Sequence, residues 1–170
     1  MSARLTRAVI EIEQHVAAGG WDQPARLYAL VETTALLRDQ PALAAQLGVA
    51  DVAPGHLTSV EQEELPDYAS VEELLAGIAW PDEVVGTALV LERLMLPPSA
   101  EVELPADDEA ALRWVAEHPD RQEVRIAVAA LRDGGRECAV RMRAHDSDDA
   151  VLSGRDLVPG LADALAATLD

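Results

Sequence analysis

Six arginines crowd one short stretch of this chain, at positions 121, 125, 132, 136, 141 and 143, with only Glu123, Asp133 and Glu137 among them. That stretch carries a local charge of +3 inside a 170-residue chain whose net charge is −18. A guanidinium is a planar fork of donors that stays protonated, so its natural chemistry is the bidentate grip of a carboxylate or phosphate. Two readings follow. Arg125, Arg141 and Arg143 line a strand face that takes an acidic ligand or an acidic protein partner. Alternatively, acids from neighbouring elements, Glu92 among them, neutralise that face from within. Nucleic acid is not expected as a partner: the stretch holds no aromatic to stack a base, and the overall field repels phosphate.

Other residue types give less. All 13 basic residues are Arg, so there is no lysine nucleophile, Schiff base or phosphate-loop lysine. Asp146-Ser147-Asp148-Asp149 suggests calcium. An EF-type loop from Asp146 would need an acid, a glycine and a glutamate where Ala150, Val151 and Leu157 stand, so the match fails. The four histidines, His15, His56, His118 and His145, make no metal-binding pair by spacing. His118 and His145 flank the arginine stretch and, with that stretch folded as a hairpin, both lie near its open end, where they could approach one another and Asp146 as an acid–base or metal pair. Cys138, the single cysteine, reads as a small buried hydrophobe. No serine-elbow, phosphate-loop or dinucleotide motif occurs. The expectation is no catalytic residue, no metal and no cofactor.

Something must hold those arginines in place, and the stretch supplies its own scaffold. Val124, Ile126, Val128 and Ala130 alternate, then Cys138, Val140 and Met142, around Asp133-Gly134-Gly135: a β-hairpin. A three-residue loop, Asp133 to Gly135, pairs Ala130 with Cys138, Val128 with Val140 and Ile126 with Met142, giving one wholly apolar face. Arg125 then faces Arg143, with Arg141 beside them on a flat outer face made by Ala127, Ala129 and Ala139. That face suits the docking of another element.

Ala3 to Ala18 reads as an amphipathic helix (Leu5, Val9, Ile12, Val16) ended by Gly19-Gly20. Arg26 to Thr33 reads as a strand, with a helix through Arg38 as its rival, and Thr34 to Leu47 as helix broken at Pro41. Residues 48–57 read as a loop, and capping boxes at Thr58/Glu61 and Ser59/Gln62 open a short helical turn ended by Pro66. Ser70 opens a helix to Ile78. Val84 to Leu96, apolar on both faces, is a long central strand. Asp107 caps a helix carrying Leu112, Trp114 and Val115, and Pro159 opens a last one carrying Leu161, Leu165 and Leu169. Trp21 and Trp80, each near a proline and ahead of a strand, read as plugs at the ends of the core. The order predicts a single α+β domain over residues 1–170: a mostly antiparallel sheet of about four strands with a late hairpin, flanked by helices.

Hydrophobic residues make up 49% of the chain and charged residues 26%, an ordinary globular balance. The amino-terminal segment meets Glu11 and Glu13 too early for a signal-peptide core, and no apolar run approaches membrane length, so a cytoplasmic chain without membrane insertion is expected.

Four blocks carry a resemblance: GWDQPARLYALVETTALL, IAWPDEVVGTALVLERLMLPP, HPDRQEVRIAVAALRDGGRECAVRMRAHD and VLSGRDLVPGLADALAATL. Together they resemble a family of uncharacterised proteins of this size from high-GC actinobacteria. The resemblance brings no assigned activity, cofactor or site residue. Genes of that family tend to lie near those for a large membrane protein and a PDZ-type protease, which implies a cytosolic accessory role. The reading expected is a non-enzymatic protein-interaction or accessory domain. The alternatives are a small acidic chaperone or adaptor acting as a homodimer, and a binder or enzyme that holds an anionic small molecule on the arginine face.

Overall fold

In the computed structural model, Ala3–Ala17 forms helix α1, one residue shorter than the periodicity predicts. The residues described are 3–46, 56–62, 65–67, 70–95, 103–155 and 157–170. The stripe of α1 is buried as expected, Leu5, Val9, Ile12 and Val16 all lying within the core, and an acid, Glu13, is buried with them. Gly20, in the left-handed region at φ 83°, turns the chain away.

Among the described residues the sheet has six strands, all antiparallel, in the order β2-β1-β3-β4-β5-β6. They are β1 Arg26–Glu32, β2 Leu57–Glu61, β3 Val84–Met95, β4 Gln122–Leu131, β5 Arg136–Met142 and β6 Leu152–Gly154. The class is the α+β one expected, with two strands more than the sequence suggests. One is β6, three residues inside the polar connector that pair with Cys138–Val140. The other is β2, which corrects the helical turn read at Thr58. Its capping signals are overridden by pairing with β1, where Val31 faces Thr58 and Ala29 faces Val60. Most of the expected loop 48–57 lies outside the described residues, as do Leu96 and the prolines after it.

Among the described residues the remaining α-helices are α2 Thr33–Asp39, α3 Pro41–Gln46, α4 Val71–Ala76, α5 Asp108–Glu117 and α6 Pro159–Ala167. Two caps read from sequence are made: Ser70 accepts from the Glu73 amide at 3.1 Å and Asp107 from the Ala110 amide at 3.0 Å. Each is worth about 1 kcal/mol.

Alternation along the central strands builds two cores. Leu89, Leu91, Val124, Ile126, Val128, Cys138 and Val140 pack with α6 (Leu161, Leu165) and α4 (Leu75) on one face. Trp80 closes that core as expected, its indole N–H donating to Thr168 Oγ1 at 3.0 Å. Ala88, Val90, Ala127, Ala129 and Ala139 pack under α1 on the other. The flat alanine face does receive an element, and that element is the chain's own first helix.

The hairpin keeps the expected faces but not the expected register. Val128 pairs with Cys138, Ile126 with Val140, and Arg125 with Arg141 rather than Arg143. The three-residue loop is Arg132-Asp133-Gly134, with the Leu131 amide donating to Gly135 O at 2.9 Å. Gly134, at φ 97°, takes the left-handed third position that a residue with a Cβ would resist.

Candidate functional site: an arginine–carboxylate network

Glu92 on β3, Arg125 on β4 and Arg141 on β5 are successive cross-strand partners, so they form one row across the sheet on the face α1 covers. Two adjacent guanidiniums would repel. Each has its own acids instead. Arg141 is 2% exposed and Glu13 also 2%. The carboxylate of Glu13 takes Arg141 Nε at 2.8 Å and Nη2 at 2.7 Å, a bidentate pair between α1 and β5. Arg141 also donates to Asp146 at 3.0 Å and Asp148 at 2.5 Å, both from the connector after β5. These bonds, the one with Glu13 foremost, hold its guanidinium well above the usual arginine range, against the opposing effect of burial.

Arg125, 1% exposed, donates Nη2 to Glu92 at 3.2 Å and to the Gly20 carbonyl. Its Nε and Nη1 have no hydrogen-bond partner among the described residues. Its guanidinium lies over the Trp21 ring at 4.4 Å, and that of Arg143 lies 5.6 Å from the same ring. Trp21 is therefore a lid over the arginine row rather than a plug in an apolar core. Its indole N–H donates to Asp146 at 3.0 Å, and this bond, before the Arg141 contact, holds Asp146 below the usual carboxylate range.

The loop that carries Trp21 is tied down from beneath. Glu92 accepts the amides of Asp22 (2.9 Å) and Gln23 (3.0 Å), and the Gln23 side-chain amide donates to the Val16 and Gly20 carbonyls. Asp22 sits at φ 65°, a conformation Asp tolerates better than most residues. Its carboxylate takes Arg143 at 3.0 Å, and Glu123 takes the same guanidinium at 2.8 Å.

The three arginines singled out from sequence are thus brought together, and each is engaged by the chain's own carboxylates. Arg125 and Arg141 are covered; Arg143, with its side chain 41% exposed, stands at the rim. Sequence reasoning missed Glu13 and the role of Trp21. A signal for the first was present: Leu5, Val9 and Glu13 are spaced by four, which sets an acid into the apolar stripe of α1.

The other candidates lie elsewhere. His118 packs edge-on against Trp114 at 4.7 Å and accepts the Asp120 amide, while His145 lies exposed in a 3-10 turn. Asp146, the third member considered with them, is engaged by Trp21 and Arg141. Among the described residues no three His, Cys, Asp or Glu side chains are grouped to hold a metal ion. Cys138 is fully buried. Beside the network, Ile10, Glu13, Ala139, Asp148 and Ser153 line a cleft of about 190 Å³. Among the described residues no helix is long and apolar enough to cross a membrane.

Fold and site together define an α+β protein, a six-stranded antiparallel sheet carrying a buried arginine–carboxylate network under its first helix. Residues 5–170 match the PPA1309-like protein family, and the chain belongs to it. The prefix in that name is actinobacterial, in keeping with the resemblance. No curated protein and no solved structure matches the chain.

Proposed function

We propose that this chain is a non-enzymatic protein-association domain acting in the cytoplasm. The observation that carries the reading is α5. It is a ten-residue amphipathic helix in which no residue is buried, and Leu112 is 73% exposed. A lone helix of this length is marginal in water, because few internal hydrogen bonds offset the cost of its nucleus. A helix of this kind is completed by something that covers its apolar residues. The anionic-ligand reading of Arg125, Arg141 and Arg143 has less support. Each of the three is already engaged by a carboxylate of the chain, and Arg125 and Arg141 are buried away from an incoming acid.

The test is cross-linking in native cells with a tagged chain, read by mass spectrometry, together with light scattering at two concentrations. Association predicts cross-links at α5 that vanish in a folded Leu112→Ser variant. Mass that doubles with concentration would assign the surface to a homodimer, the adaptor-like alternative. A strict monomer with no Leu112-dependent cross-link overturns the proposal.

A further inference from the structure

We infer that the α5 surface takes a basic amphipathic helix of another protein, an inference that rests on the association reading above. The inner stripe of α5, Ala111, Trp114, Val115 and His118, is only half-buried, while Leu112 projects outward. The helix touches β3 and runs through His118–Arg121 into β4, whose first residue, Gln122, pairs with Met95 at the end of β3. At that same end of the sheet Leu94 and Met95, strand neighbours that face opposite sides, are each 39% exposed, and so is Leu104, three residues ahead of the capping Asp107. The end of β3 and the helix that contacts it therefore both leave apolar side chains exposed.

Charge selects the occupant. Between residues 103 and 123 there are seven acids and two arginines. The first turn of α5 alone contributes Asp108 and Glu109 beside the capping Asp107. A second copy would bring another −18 and the same acidic rim against this one. A helix with leucines on one side and arginines or lysines on the other satisfies both components: its apolar side meets Leu112 and the β3 end, and its cations meet the rim. Such a helix reads an apolar ridge through anchors three and four residues apart. Its attraction falls as salt screens the rim.

The probe is a synthetic 16-residue Leu/Arg amphipathic peptide, titrated into the isotope-labelled full chain and followed by amide NMR. Two controls accompany it: the same composition scrambled to abolish the apolar stripe, and a Leu/Glu version. The Leu/Arg peptide should shift amides of α5 and the end of β3. Leu112→Ser should weaken it by about tenfold, the loss of one anchor, while Leu152→Ser, at another exposed leucine, should leave it unchanged. Equal binding by the scrambled peptide, or no effect of Leu112→Ser, overturns the inference. Binding of the Leu/Glu peptide through Leu112 also overturns it, while leaving the association reading intact. Silence from every peptide, with no Leu112-dependent cross-link in cells, removes both.

Discussion

Glu13 and Arg141, 128 residues apart in the chain, meet in a bidentate ion pair at 2.7 and 2.8 Å with both side chains almost fully buried. It joins the first helix to the fifth strand. Replacing Arg141 by Met strands a carboxylate in the core and should cost about 3–5 kcal/mol in urea unfolding. Adding Glu13→Leu should recover most of that loss, because the stranded charge goes too and Asp146 and Asp148 are exposed enough to rehydrate. A double variant less stable than the single one would refute this account.

The acid response follows from Asp146. Its carboxylate is held below the usual range by Trp21 and then by Arg141. A group depressed on folding adds stability above its unfolded value of about 3.9, and that stability is lost as pH falls through the folded value. The Trp21 lid should therefore stay shut at neutral pH and loosen as pH falls below the unfolded value of Asp146 and through its lower folded value. Trp21 emission, followed in a chain carrying Trp80→Phe and Trp114→Phe, reports it. Asp146→Asn should remove the transition; an unchanged transition would assign it to other carboxylates around Arg125, Arg141 and Arg143.

Arg132 works as a buckle. Its guanidinium donates to the carbonyls of Val84 (2.7 Å), Pro81 (3.1 Å), Trp80 (3.3 Å) and Leu169, tying the end of α6 to the entry of β3. Hydrogen bonds from a charged donor are worth about 1.5–3 kcal/mol. Arg132→Ala should lower the melting temperature by roughly 4–10 °C. Lysine should not rescue it, since one ammonium cannot reach four carbonyls that a fork spans.

Two glycines should respond in opposite directions. A Cβ on Gly86 would lie 2.5 Å from Leu131 Cδ2 and 2.6 Å from the Ala130 carbonyl oxygen, so Gly86→Ala forces β3 and β4 apart and should cost about 1–3 kcal/mol. Nothing lies within 4 Å of a Cβ on Gly160, in the first turn of α6. Gly160→Ala should stabilise by about 0.4–1 kcal/mol. Thermal unfolding of the two variants decides it.

Much of the fold can be read from the chain because its cues are local. The period of two in Val124–Ala130 and the stripe of α1 each name their buried face without reference to the rest. The hairpin register could not be read that way. Shifting the pairing by two residues leaves every side chain on the same face, so the apolar pattern fits Val128 opposite Val140 as well as the observed Val128 opposite Cys138. The positive φ of Gly134 at the third loop position separates the two. The strand β2 was hidden because Thr58 and Ser59 offer good caps, and only pairing with β1 overrides them. The network itself was half visible. The arginines share one stretch of sequence, but Glu13, Trp21 and Glu92 reach them only through the sheet and the helix laid across it.

The single thiol of the chain, at Cys138, lies where no reagent can reach it in the folded state. A cysteine introduced at position 112 would be the one site open to maleimides, so a dye or spin label can be set on α5 without first removing the native residue.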